Sequence, residues 1–168
     1  MSEMRTVQTT KPTHPLQPLT QAEIEQVAAI ANASTELPNG LYFELIELKE
    51  PPKSVVRGFS KGDAIERRAR VNMFPKDKIG VYRLVVSLDE NKVLSVEHLP
   101  KARPMIQLEQ FMEIEGVIKA TPEFIDACRK RGIMDMSTVC VDPWSAGVFD
   151  IEGEVGRHIC HTFAWQKV

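Results

Sequence analysis

The segment Pro100-Lys101-Ala102-Arg103-Pro104 divides this chain into two stretches of matching order, each with a helical pattern first and strand patterns after it. Proline fixes the backbone and donates no hydrogen bond, so a segment bounded by two prolines reads as a linker. A helix followed by antiparallel strands buries its apolar stripe on one face of the sheet, which is an α+β solution. A chain of 168 residues has room for one ordinary domain or two small ones. At 43% hydrophobic and 26% charged it has the apolar content to build packed cores.

Residues 1–18 are polar and carry Pro12, Pro15 and Pro18, which favour extended backbone. They read as an N-terminal arm, lying on a surface or forming a flexible tail. The first unit, residues 19–101, opens on Thr20-Gln21-Ala22-Glu23, the spacing of a capping box. Leu19 and Ile24 take hydrophobic-staple positions, and Ile24, Val27, Ala28, Ile30 and Ala31 form a stripe of helical period. The spacing predicts a helix that fades near Ser34, then a turn at Pro38-Asn39-Gly40. Strands are predicted over Leu41 to Leu48, from about Ala64 to Phe74, over Ile79 to Leu88 and over Val93 to Leu99. Pro51-Pro52 ends the first strand, and Asp89-Glu90-Asn91-Lys92 makes a hairpin loop between the last two.

In the second unit, residues 102–168, Leu108, Phe111, Met112, Ile114, Glu115 and Ile118 mark an amphipathic helix in spite of Gly116. Thr121-Pro122 reads as an N-cap followed by proline at the first helical position. This second helix is expected to end at Gly132, after the basic run Arg129-Lys130-Arg131, which suits the negative end of the helix dipole. Strands are expected at Thr138 to Val141, around Val148 and from Arg157 to Trp165. A unit that stops in a strand reads as truncated at its C-terminal end.

Lys and Arg total 21 against 23 Asp and Glu, a formal net charge of −2. A chain so balanced exerts little long-range pull on phosphate or anionic lipid, so neither nucleic acid nor membrane is expected as a partner. No apolar run has the length of a membrane span, and MSEMRTVQTTKP lacks the apolar core of a secretory signal. An intracellular location, cytoplasmic or peroxisomal, is the expectation. Cys128, Cys140 and Cys160 form no CxxC pair and read as reduced thiols, not as a disulfide framework.

No catalytic constellation emerges. His158-Ile159-Cys160-His161 is the one histidine cluster among His14, His98, His158 and His161. On a strand its two imidazoles would face opposite sides, leaving His158 and Cys160 together, too few ligands for a closed metal site. Glu113 and Glu115, two apart on a helix, do not face each other. The glycines make neither a P-loop nor a dinucleotide fingerprint. Asp142-Pro143-Trp144-Ser145-Ala146-Gly147 is the most unusual string. It reads first as a structural turn pinned by Trp144, and second as an interface anchor.

Several strings in order resemble the copper-containing primary-amine oxidases that use topaquinone. They are His14-Pro15-Leu16-Gln17-Pro18-Leu19-Thr20, Glu50-Pro51-Pro52-Lys53, Arg67-Arg68-Ala69, the helix bearing Phe111, Arg131-Gly132-Ile133 and Asp142 to Gly147. Gln17 stands where that family commonly has aspartate. The resemblance implies the N-terminal N2 and N3 domains, each similar to cystatin, with a helix packed on an antiparallel sheet. It implies a non-catalytic front end, partnered by a catalytic domain of the same polypeptide, in a homodimeric enzyme. The parent oxidises primary amines to aldehydes and releases ammonia and hydrogen peroxide.

The resemblance assigns no catalytic, cofactor-binding or metal-binding residue here. The family holds copper with a His-x-His pair and a third histidine, and this chain has no His-x-His. Its cofactor tyrosine follows asparagine and precedes an acid, whereas Tyr42 sits in Leu-Tyr-Phe and Tyr82 in Val-Tyr-Arg. Copper and topaquinone are therefore expected in the parent, not in this segment. Phe111 is the one site candidate, lining the entrance by which amines reach the quinone; the competing reading makes it a core residue of its helix. Two rival functions stand beside this one: a freestanding binding module of the same fold, and a small cysteine-dependent hydrolase. A segment should expose a large apolar face where a module would show polar residues.

Overall fold

A computed structural model describes residues 12–76, 78–147, 149 and 151–167. The chain forms two compact units, one ending at Pro100 and the next beginning at Lys101. Both combine helices with antiparallel sheet, an α+β architecture.

The first unit begins with α1, Gln21–Asn32, and its capping box is complete. Thr20 Oγ1 accepts from the Glu23 amide at 3.2 Å, and the Thr20 amide donates to Glu23 Oε2 at 2.8 Å. Replacing Thr20 with Ala should cost about 1 kcal/mol of stability, read as a lowered urea midpoint. A midpoint unchanged within error would show that the cap contributes nothing. Val27 and Ala31 are the buried residues of α1, while Ile24, at the staple position, keeps 39% exposure.

Four strands follow in simple meander order: β1 (Leu41–Leu48), β2 (Arg68–Pro75), β3 (Val81–Ser87) and β4 (Lys92–Leu99). Val27 and Ala31 pack on Ala69, Val71 and Met73 of β2 and on Leu84 and Val86 of β3, with Leu88 closing the cluster. In β1 the register shifts between Phe43 and Leu45, so Glu44 is the extra residue of a bulge. A bulge reverses which residues face the core. Leu41 and Phe43 pack inward before it and Ile46 after it, which explains charged residues three apart at Glu44 and Glu47.

One element escaped the sequence reading, the short helix α2, Lys53–Gly58. Pro52 is its N-cap, so the proline that ends β1 also opens a helix. Six residues with no buried side chain leave no periodic stripe to detect. The hairpin loop between β3 and β4 includes Asn91 at φ 51°, a left-handed position that asparagine tolerates.

The second unit holds α3 (Leu108–Ala120), α4 (Pro122–Arg129), a 3-10 turn (Met136–Thr138), and the strands β5 (Val139–Ser145) and β6 (Cys160–Gln166). Pro122 is at the start of α4 as expected, but Thr121 does not cap it through its side chain. Its hydroxyl donates instead to the Val117 carbonyl at 2.9 Å, back into α3. Gly132, at φ +80°, ends the turn after α4, where the Ile133 amide donates to the Cys128 carbonyl at 3.0 Å. The strand expected around Val148 falls on a position outside the described residues.

Candidate functional site

The second unit concentrates the exposed apolar residues. Its helix α3 packs on β5 and on α4, yet no residue of α3 is fully buried. Ile114 and Ile118 are half-buried on one side of the helix, while Leu108 and Met112 stand out at 80% and 75% exposure. Phe111 lies at the border of these two faces, 36% exposed. Its ring is therefore neither a sealed core group nor fully free. Lys119 anchors the other end of α3, donating from Nζ to the Val139 carbonyl at 2.7 Å and to Glu115 Oε1 at 3.1 Å.

The string Asp142 to Gly147 is not a turn. Asp142, Pro143, Trp144 and Ser145 continue β5 in register with β6, Trp144 opposite His161 and Asp142 opposite Phe163. A strand can hold Pro143 when the missing donor faces a free edge. Asp142 Oδ2 accepts from the Trp144 indole at 3.1 Å. Directly opposed residues in an antiparallel pair share a face. Cys140, Asp142 and Trp144 therefore line up with Trp165, Phe163 and His161 on one side of the ribbon. Val139, Val141 and Pro143, all buried, point to the other, toward α3.

That outward side is aromatic and uncovered. Trp144, Phe163 and Trp165 are each more than half exposed, and the rings of Phe163 and Trp165 lie 6.3 Å apart. The period-two run His161, Phe163, Trp165 was the signal for this face, and sequence reasoning took it for an ordinary strand. Arg103 also escaped notice. It donates to the carbonyls of Gly147 at 2.9 Å and Glu154 at 2.8 Å, tying the start of the loop between the two strands to its middle.

The four histidines are dispersed. His14 accepts from the Leu16 amide at 3.1 Å and meets Phe59 edge-on, and His98 stacks on Tyr82 at 4.4 Å. His161 is in β6, but His158 precedes the strand, so the alternation argument that paired it with Cys160 does not apply. Cys128 is buried in α4, and Cys140 and Cys160 are half-buried in β5 and β6. Among the described residues no three His, Cys, Asp or Glu side chains group so as to hold a metal ion. The described residues thus do not fit a copper centre. No helix among them is long and apolar enough to cross a membrane.

Comparison with known proteins places this geometry. The family model of the copper amine oxidase N2 domain matches residues 14–99, and that of the N3 domain matches residues 109–163. The chain is 32% identical over 155 residues to a primary amine oxidase of Arthrobacter sp. (strain P1), covering 92% of this chain and 23% of that protein. It is 33% identical over 169 residues to a peroxisomal copper-containing diamine oxidase of Nicotiana tabacum, covering 80% of this chain and 22% of the relative. The fold is similar to that of a copper-containing benzylamine oxidase from Hansenula polymorpha, with a TM-score of 0.59, 19% identity, and 91% and 25% of the two chains covered. The chain thus spans less than a quarter of the length of the curated relatives it matches. This chain belongs to the copper amine oxidase family, of which it carries the N2 and N3 domains.

Proposed function

We propose that this chain acts as the non-catalytic front segment of a primary-amine oxidase, packing against the remainder of the polypeptide and shaping how amines reach its centre. The carrying observation is coverage: N2 and N3 matches extend over nearly the whole chain, yet it spans only 23% of an amine oxidase. Copper and topaquinone supply the oxidation chemistry of the parent, and this reading places both in the remainder. The exposed aromatic side of β5 and β6 favours a segment over a freestanding module, which would carry polar residues there. A homodimeric parent belongs to the same reading. A peroxisomal home has support from the printed names of two tobacco relatives.

Phe111 is the residue we assign to the amine entrance. Its partial exposure beside Leu108 and Met112 leaves an aromatic ring available to a passing apolar substrate. The test joins the chain to the polypeptide that its own coding sequence continues into and follows hydrogen peroxide release from a series of primary amines. Turnover is expected in the extended protein and not in the 168-residue chain. Failure of the extended protein to oxidise any amine would sink the segment reading. Within an active protein, Phe111→Ala should change the kcat/KM ratio between a bulky and a small amine by roughly tenfold. An unchanged ratio would remove Phe111 from the entrance and leave the segment reading standing.

A further inference from the structure

The thioether of methionine takes up one oxygen from peroxide to become a sulfoxide, and it does so where solvent reaches the sulfur. The methionines of this chain differ widely in that respect. Met73 lies in the core of the first unit at 2% exposure, whereas Met105, Met112 and Met134 of the second unit stand at 71%, 75% and 74%. Cys128 is buried, and Cys140 and Cys160 are half-buried. The three exposed thioethers are therefore the most open sulfur atoms among the described residues.

Of the three, Met112 is the one carried on a helix, α3. Met105 precedes that helix, and Met134 lies between α4 and the 3-10 turn. Consecutive α carbons are about 3.8 Å apart, so the helix holds Met112 immediately beside Phe111. Residues four apart on a helix share a face, which puts Met112 next to the equally exposed Leu108. Methionine is a good helix former with an unbranched side chain, so this position keeps its backbone whether the sulfur is reduced or oxidised.

We propose that Met112 is a modification site: hydrogen peroxide accumulating as product oxidises it to the sulfoxide, and the change beside Phe111 alters which amines enter. This rests on the reading that the chain is the front segment of an amine oxidase with Phe111 at its entrance. A sulfur lone pair attacks one oxygen of hydrogen peroxide, and the S–O bond forms as the O–O bond breaks. The second oxygen departs as hydroxide and takes the proton of the transferred one, leaving water. Sulfur gives up two electrons and peroxide accepts both. An apolar border of Leu108 and Met112 then carries a polar S–O group, until a methionine sulfoxide reductase removes it.

The experiment uses the chain extended by the polypeptide its coding sequence continues into. The protein is treated with hydrogen peroxide, and sulfoxide is read residue by residue by mass spectrometry. The kcat/KM ratio between a bulky apolar amine and a small one is measured before and after; a ratio is insensitive to any fraction of enzyme inactivated outright. Met112 should oxidise at least about 10-fold faster than Met73, and the ratio should fall by about threefold. Methionine sulfoxide reductase should restore it. The fall should be absent from Met112→Leu and present in Met134→Leu. Met112 as slow to oxidise as Met73 would mean that the rest of the polypeptide covers it, which would overturn the proposal. So would an unchanged ratio once Met112 is oxidised, or the same fall in Met112→Leu. Each of these results in a protein that oxidises amines spares the segment reading. An extended protein that oxidises no amine would end both.

Discussion

Replacing Arg67 with alanine should destabilise the first unit by about 3–5 kcal/mol, the range for removing one partner of a buried ion pair. Arg67 is 4% exposed and stands at the centre of a clamp. Its Nε donates to Glu23 Oε1 at 2.8 Å and its Nη2 to Glu23 Oε2 at 3.0 Å, a two-pronged pair. It also donates to the carbonyls of Gln17 at 2.8 Å and Pro18 at 3.2 Å, so one guanidinium ties the residues before α1 to the edge of β2. Alanine would leave a carboxylate and two carbonyls without this donor. The urea midpoint followed by circular dichroism reads the loss; a fall of less than about 1 kcal/mol would mean the clamp is decorative.

The same pair predicts a pH dependence. Glu23 sits below the ordinary carboxyl value of 4.5, held there first by its hydrogen bonds from Arg67, against the opposing effect of burial, and then by the Thr20 amide. The folded state thus binds this proton less readily than the unfolded chain. Its contribution is fully present above about pH 4.5 and is lost as pH falls through the depressed folded value. Glu23→Gln keeps a capping-box side chain but has nothing to titrate, so its stability should fall less steeply below pH 4.5 than that of the parent chain. Parallel curves would show that Glu23 titrates alike in both states.

The second large effect is expected at Leu84. It is completely buried in β3, facing α1 among Val27, Val71 and Val86. Leu84→Ala removes apolar contact and leaves a void that a helix and a flat sheet cannot easily close, costing about 2–5 kcal/mol. Leu84→Met, close in volume, should cost less than about 1.5 kcal/mol. Equal losses from the two would mean that side-chain volume at this position does not govern the core.

Reading along the chain recovered the elements whose signal is local. The capping box at Thr20 and Glu23 needs four consecutive residues, and β1 is bounded by a glycine turn and a proline pair, so each was legible. The short α2 lacked any stripe, and the identity of Asp142 to Ser145 as strand was hidden by Pro143, whose place depends on the pairing partner. Phe111 could be nominated from its helix, but its partial exposure depends on how α3 lies on β5.

By itself the sequence determined the order of the longer helices and of the four strands of the first unit, the α+β class and the family, because caps, periodicity and motif order are written in neighbouring residues. Tertiary structure alone decided the faces and contacts that periodicity does not mark. It set the bulge at Glu44 that turns Ile46 inward, brought Arg67 to Glu23 across 44 residues, and paired Asp142 to Ser145 with β6 as strand. Those outcomes depend on strand register and on contacts between residues distant in sequence. A shift of one residue in pairing exchanges the buried and exposed faces of a strand, and no local pattern records that choice.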